Sequence, residues 1–177
     1  MMGIQDQAGM VRYRKKANDI FFTPERLAKK CIDFVPVKKG DIVLDNASGG
    51  SKVFLNNFPR KIESKECNIT SGSDFLQWNQ EIDWIITNPP YSILYDYLMK
   101  SCEFCRKGFA YLIAQHGLTP KRIEDCQNKG FHISHIHLCK VSRWFGMTNF
   151  VIWEKGAPIR KPLFTYCLLY TSPSPRD

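Results

Sequence analysis

The tetrapeptide Asn88-Pro89-Pro90-Tyr91 is the part of this sequence best suited to chemistry. Pro89 pushes Asn88 into an extended conformation, and two successive fixed φ angles hold the following carbonyl and ring in one direction. The product is an amide side chain, a backbone carbonyl with no N–H competing beside it, and an aromatic face. Together they suit a flat molecule bearing an exocyclic –NH2: two acceptors for its two hydrogens and a ring to stack on. A rigid loop that merely packs Tyr91 into the core is the blander account. A second stretch, Asp45-Asn46-Ala47-Ser48-Gly49-Gly50-Ser51, joins an acid to a run of small residues. Small residues let the backbone approach a ligand closely, and an acid at a strand end can act on a sugar hydroxyl or an amino group. Taken alone, a Gly-Gly turn after a strand is as readily just a turn.

Both stretches follow short apolar runs that read as buried strands, residues 41–45 and 83–87. In an open α/β sheet, ligands sit beyond the carboxyl ends of the strands, which is where Asp45 and Asn88 fall. Ahead of the first strand, Phe21-Phe22-Thr23-Pro24 opens a helix, with Thr23 as N-cap and Pro24 at the first helical position. Leu27, Ala28, Cys31, Ile32 and Val35 give that helix an apolar stripe, and residues 36–40 end it. A short helix is expected after Ser51, and a second strand around 61–64. Ile93, Leu94, Tyr97, Leu98 and Cys105 mark another helix, closed by Arg106, Lys107 and Gly108. Residues 109–113, 133–141 and 149–154 read as further strands, with a helix near 121–127. Strands alternating with helices predict a mostly parallel sheet covered on both faces.

Composition narrows the classes of function. A length of 177 residues fits one domain. A hydrophobic fraction of 44% is enough for a buried core and argues against disorder. No apolar run approaches the ~18 residues of a membrane span, and the start lacks the basic-then-apolar layout of an export signal. Seven cysteines without disulfide-like spacing read as reduced thiols of a cytoplasmic protein. Lys plus Arg is 25 against 17 acids, and the resulting net charge of +8 suits a polyanionic partner. Residues 1–18, with Arg12, Arg14, Lys15 and Lys16, form a basic arm. The basic pairs Lys38-Lys39, Arg60-Lys61 and Lys121-Arg122 are solvated faces or phosphate contacts. Cys102 and Cys105 make a C-x-x-C, but zinc needs a second such pair, so ordinary buried thiols and no metal are expected. His132, His135 and His137 are expected at exposed polar positions of a strand.

In order and spacing, Phe21-Phe22-Thr23-Pro24, Val43-Leu44-Asp45-Asn46-Ala47-Ser48-Gly49, Ser73-Asp74-Phe75 and Asn88-Pro89-Pro90-Tyr91 resemble the amino-group DNA methyltransferases, especially adenine-N6 enzymes of phage type. The likeness covers roughly residues 19–155. It implies an α/β, Rossmann-like class I methyltransferase fold with an antiparallel final strand, and S-adenosylmethionine as methyl donor. By this resemblance Phe22, Thr23 and Pro24 flank the methionine part of the donor, and Asp45, Ala47 and Gly49 form the donor loop. Asp74 accepts from the donor adenine's amino group, with Phe75 against its ring. Asn88 and Pro89 hold the target –NH2, Pro90 stiffens the loop, and Tyr91 stacks on an adenine flipped out of DNA. Glu66 is the expected ribose-binding acid, with Glu63 its rival.

Two positions depart from that pattern. Relatives usually have Pro after the first-loop acid and a second Gly two positions after Gly49, where this chain has Asn46 and Ser51; the Ser51 side chain is expected to crowd the donor. Trp144-Phe145 sits where relatives often have an aromatic near the target base, and core packing accounts for it equally well. Cytosine C5 methylation, which needs a thiolate typically found in Pro-Cys, is excluded because the chain has no Pro-Cys. Thirteen residues separate Asp74 from Asn88, which leaves target recognition to loops, a separate subunit or sequence beyond Tyr166. Two rival readings share the motifs: methylation of a protein glutamine or an RNA base nitrogen, and a degenerate binding domain without donor affinity. The last eleven residues, from Cys167, resemble a translated read-through of a transposon-type sequencing adapter. The expected catalytic domain is therefore residues 19–166, with 167–177 an artefactual tail.

Overall fold

A computed structural model describes residues 22–141, 147–158 and 161–169. The basic arm at 1–18, Phe21, the Trp144-Phe145 pair and the tail from residue 170 lie outside the described residues. Helix α1 (Glu25–Phe34) leads into β1 (Ile42–Asp45), β2 (Glu63–Glu66) and β3 (Ile82–Thr87). Then come α2 (Leu94–Phe104), β4 (Cys105–Ala114), α3 (Pro120–Asn128), β5 (Phe131–Val141), β6 (Thr148–Lys155) and β7 (Leu163–Leu169). All seven strands join one sheet in the order β2-β1-β3-β4-β6-β5-β7. Every pairing is parallel except those of β6, which runs against both β4 and β5. The strand expected at 149–154 to be antiparallel and final is β6: it is antiparallel, but β7 follows it and runs parallel to β5.

Alternation along the strands explains why these runs are strands. Val43, Trp84, Ile86, Ala110 and Leu112 face a core shared with Leu27, Cys31 and Ile32 of α1. Their neighbours Leu44, Ile85 and Tyr111 face the other core, shared with Leu94, Leu98 and Cys102 of α2 and Cys126 of α3. A strand buried on both faces reads as a continuous apolar run, the pattern of a parallel sheet.

Several local expectations are corrected. Pro24, not Thr23, is the N-cap of α1, and its carbonyl accepts from Leu27 N at 2.9 Å and Ala28 N at 3.0 Å. The helix expected after Ser51 is only a 3-10 turn over Leu55–Asn57, and β2 begins two residues later than the predicted strand. Cys105 to Gly108 do not close a helix but open β4, so the C-x-x-C is split between a helix and a strand. Arg106 and Lys107 reach back to buried acids, at 2.9 Å from Asp83 and 2.6 Å from Asp41. β7 was not foreseen; its Leu163, Phe164 and Tyr166 are exposed, and it includes Cys167, Leu168 and Leu169. Its Thr165 hydroxyl bonds His135 Nε2 at 2.7 Å and His137 Nδ1 at 2.5 Å. With Phe34 also against both rings, His135 and His137 are buried rather than exposed. Among the described residues, no helix is long and apolar enough to cross a membrane.

Candidate functional site

The carboxyl ends of β1, β2 and β3 converge around the small-residue loop. Asp45 turns inward and is buried. Its Oδ1 accepts from Thr87 Oγ1 at 2.5 Å and Ala47 N at 3.3 Å, and its Oδ2 from Leu55 N at 3.3 Å. These bonds make Asp45 the hub that shapes the loop. Gly49 turns the chain at φ +56°, and its carbonyl receives Asn68 Nδ2 at 3.2 Å. Asn46 Nδ2 donates to the Tyr111 hydroxyl at 2.7 Å, which itself meets Ser101 Oγ at 2.6 Å. Asn46 thus ties the loop to β4 and α2. Ser51 is exposed and lines neither of the cavities beside the loop.

Burial pushes the Asp45 carboxyl up to about 6, against three opposing hydrogen bonds and with the Glu66 charge adding to the rise. Stability linked to its protonated form is complete below the ordinary value of 3.8 and is lost as pH rises through about 6. His137 carries the opposite slope. Burial, then Lys30 and His135, push it down to about 4, so its contribution is complete above 6.5 and lost as pH falls through about 4. Each effect is on the order of 3 kcal/mol, and the two nearly cancel between roughly pH 4 and 6. Relative to the wild type, His137→Gln is expected to lose stability as pH rises across this window, and Asp45→Asn to gain it. Urea unfolding at several pH values reads both slopes; parallel profiles for all three proteins would refute the assignment.

Two adjoining cavities of about 150 Å³ each flank the loop, and Ala47, Gly49 and Asn88 line both. The first is walled by Phe22, Thr23, Ser48, Gly50, Val53, Phe54 and Thr87. The second is walled by Asn46, Asn68, Ile69, Pro90 and Tyr97. Asn88 Nδ2 donates to Thr23 Oγ1 at 3.2 Å, across 65 residues of sequence. Pro89 is buried, and Tyr91 is half-buried with its hydroxyl shielded from solvent as it opens a 3-10 turn.

Glu66 and Glu63 lie at opposite ends of β2. Glu66 lies opposite Asp45 at the carboxyl end of β2, whereas Glu63 lies opposite Ile42 at the other end and pairs with Lys65 at 3.6 Å. Glu66 Oε1 accepts from Lys52 Nζ at 2.7 Å and Oε2 from Ser48 Oγ at 2.9 Å. The Lys52 hydrogen bond is the main cause that holds the Glu66 carboxyl below its usual range. Asp74 caps a 3-10 turn, its Oδ1 accepting from Leu76 N at 2.9 Å, and lines neither cavity. Phe75 belongs to the core, its ring 5.0 Å from that of Tyr97, so it backs the cavity wall instead of forming it. Sequence reasoning missed Lys52, Asn68 and Ile69, and reads Ser48 only as a small residue of the loop and Tyr97 only as part of a helix stripe. Ile69 alone carried a signal, as an apolar residue in a polar stretch, and it is 73% exposed at the mouth of the second cavity.

No family model matches the chain, and no curated protein matches it in sequence. In fold it is similar to magnesium protoporphyrin IX methyltransferase from Synechocystis PCC 6803 with bound S-adenosylmethionine, at 12% identity and a TM-score of 0.58, over 84% of this chain and 91% of that one. It is also similar to the type I restriction-modification methyltransferase subunit from Streptococcus thermophilus, at 15% identity and a TM-score of 0.62. That match covers 82% of this chain but 47% of the subunit, about half its length. A third likeness is to the Mtq2–Trm112 complex of E. cuniculi, at 15% identity and a TM-score of 0.60, covering 78% of this chain and 99% of that one. The chain has the Rossmann-like fold of class I methyltransferases.

Proposed function

We propose that this domain transfers a methyl group from S-adenosylmethionine to the N6 amino group of adenine in DNA. The observation that carries the reading is Asn88: it opens Asn88-Pro89-Pro90-Tyr91 at the carboxyl end of β3 and lines both cavities. One amide can thereby face a donor and an acceptor at once. The cavities also suit the donor's parts. Ile69 and Pro90 offer apolar walls to an adenine, Phe75 packs behind Tyr97 of the same wall, and Asp74 is assigned the adenine amino group. Glu66 lines neither cavity but is tied to Ser48 of the first cavity's wall, and its carboxylate suits a ribose diol. Phe22, Thr23, Ala47 and Gly49 border the methionine side, where Pro24 sets the direction of Thr23 and Asp45 supports the loop. Asn46 has its own anchor in Tyr111 and Ser51 lies clear of both cavities, which favours a working loop over a degenerate one.

S-adenosylmethionine, when bound, supplies an electrophilic methyl group. The protein's task is to make an adenine amine nucleophilic, because its lone pair is delocalised into the ring. Asn88 Oδ1 and the Pro89 carbonyl accept the two amine hydrogens, favour a more tetrahedral nitrogen and aim its lone pair. Thr23 holds the other end of the Asn88 amide. Direct transfer of this kind depends on positioning and preorganised dipoles. Tyr91 replaces stacking that the flipped base loses.

DNA is favoured by the net charge of +8. Lys121-Arg122 follow the carboxyl end of β4 on the same edge of the sheet, with Lys121 paired to Asp125 at 2.6 Å and Arg122 donating to the Gly117 carbonyl at 2.8 Å. Lys38-Lys39 and Arg60-Lys61 precede β1 and β2, at the opposite edge, and are not assigned to DNA contact. Target recognition is left to loops of this domain, a separate subunit or sequence beyond Tyr166. The Mtq2–Trm112 likeness motivates a second reading, since that complex methylates eRF1 and a glutamine amide presents the same two hydrogens.

The test incubates the full chain with S-adenosylmethionine and unmethylated duplex DNA, then analyses the nucleosides by mass spectrometry. N6-methyladenine is expected. Donor binding by calorimetry without any methylated nucleoside would overturn the DNA reading, and parallel arms with RNA and a glutamine peptide would then identify the acceptor. Absence of donor binding would overturn the methyltransferase reading as a whole.

A further inference from the structure

Lys52 is the one non-glycine residue with positive φ among the described residues, at +47°. Glycine takes that conformation freely, whereas a lysine must overcome contact between its Cβ and the backbone. A side chain kept at such a point, beside a candidate ligand loop, invites a functional account. Lys52 N donates to Ser48 O at 3.0 Å, and this turn delivers two side chains to one carboxylate. Lys52 Nζ meets Glu66 Oε1 at 2.7 Å while Ser48 Oγ meets Oε2 at 2.9 Å. Held at both oxygens from the loop side, the carboxylate cannot rotate freely, yet each oxygen keeps a lone pair for another hydrogen. The pair is part-exposed, 42% for Lys52 and 34% for Glu66, and such ion pairs contribute little to stability. Fixing the direction of an acceptor is the better account of the strained turn.

We infer that Lys52 is a positioning residue: it aims the Glu66 carboxylate at the two ribose hydroxyls of the methyl donor. The inference rests on the donor reading above and assigns Lys52 no contact with the donor itself. Lys52 would then act only through the diol, which separates it from a residue that merely shapes the loop.

Calorimetry on the full chain can tell these apart with two probes, S-adenosylhomocysteine and its analogue lacking both ribose hydroxyls. Lys52→Met is expected to weaken S-adenosylhomocysteine roughly tenfold, from the loss of a charge-assisted arrangement. The same variant should change the analogue by less than about twofold, and Lys52→Arg should restore the wild-type difference between the probes. Equal weakening of both probes would overturn the inference, as would unchanged or tighter S-adenosylhomocysteine binding in Lys52→Met. If the wild type binds neither probe, the donor reading itself has failed, an outcome distinct from failure of the Lys52 assignment. Thermal unfolding of Lys52→Met within a few degrees of the wild type is expected, so that lost affinity is not lost fold.

Discussion

Gly108→Ala is expected to unfold this domain or bring it to the edge of unfolding. Gly108 lies in β4 opposite Trp84 of β3 and Glu154 of β6. A Cβ there would stand 2.3 Å from the Trp153 carbonyl oxygen and 2.5 Å from the Trp84 ring. Neither neighbour can yield easily. The carbonyl belongs to the backbone of a central strand, and the indole is packed against the α1 side of the sheet, 3% exposed. Overpacking alone costs about 1–3 kcal/mol. With two rigid neighbours the expected loss is ~3–5 kcal/mol, a large part of the ~5–15 kcal/mol that holds a typical domain together. Thermal unfolding should show a midpoint lowered by about 10 °C or more, or no cooperative transition. Trp84→Leu should recover only the part owed to the ring, because the carbonyl contact persists. A Gly108→Ala midpoint within about 2 °C of the wild type would mean that the sheet yields at this point.

The same glycine shows where sequence reading stops. Arg106-Lys107-Gly108 has the grammar of a helix end, yet Gly108 is there because Trp84 and Trp153 leave no room for a side chain. That requirement comes from strands 24 and 45 residues away and has no local signature. Thr23-Pro24 likewise satisfies the capping rules, but the Thr23 hydroxyl is taken by Asn88 while Pro24 does the capping. His135 and His137 of β5 depend on β7 and Phe34 to cover them, neither visible from their spacing. By contrast, β1 and β3 were legible because burial on both faces leaves an unbroken apolar run. The loop opening at Asn88 was legible because two prolines constrain the backbone whatever surrounds it. The choice between Glu66 and Glu63 fell between these cases. Both lie in one polar four-residue strand, and only its register with β1 says which end meets the loop.

Asn88→Ala should separate chemistry from binding. If Asn88 Oδ1 accepts an amine hydrogen as the methyl group moves, its loss removes a preorganised dipole where charge develops. Removal of one such group typically lowers turnover about 10²–10³-fold. Donor affinity should change only several-fold, since the other walls of both cavities remain. Single-turnover transfer at saturating donor and DNA measures this directly. Asn88→Asp should retain more activity than Asn88→Ala, because a carboxylate still accepts from the amine and the Thr23 hydroxyl can turn to donate. Thr23→Val leaves the Asn88 acceptor in place but releases its amide, and is expected to cost roughly tenfold in turnover, with donor affinity lowered by no more than about threefold because Thr23 also borders the first cavity. The order Ala below Asp, with Val between Asp and wild type, is specific to an acceptor aimed by a hydroxyl. If Asn88→Ala instead kept its turnover and lost donor binding, Asn88 would be a donor ligand, and the acceptor would have to be sought elsewhere along the carboxyl edge of β3 and β4.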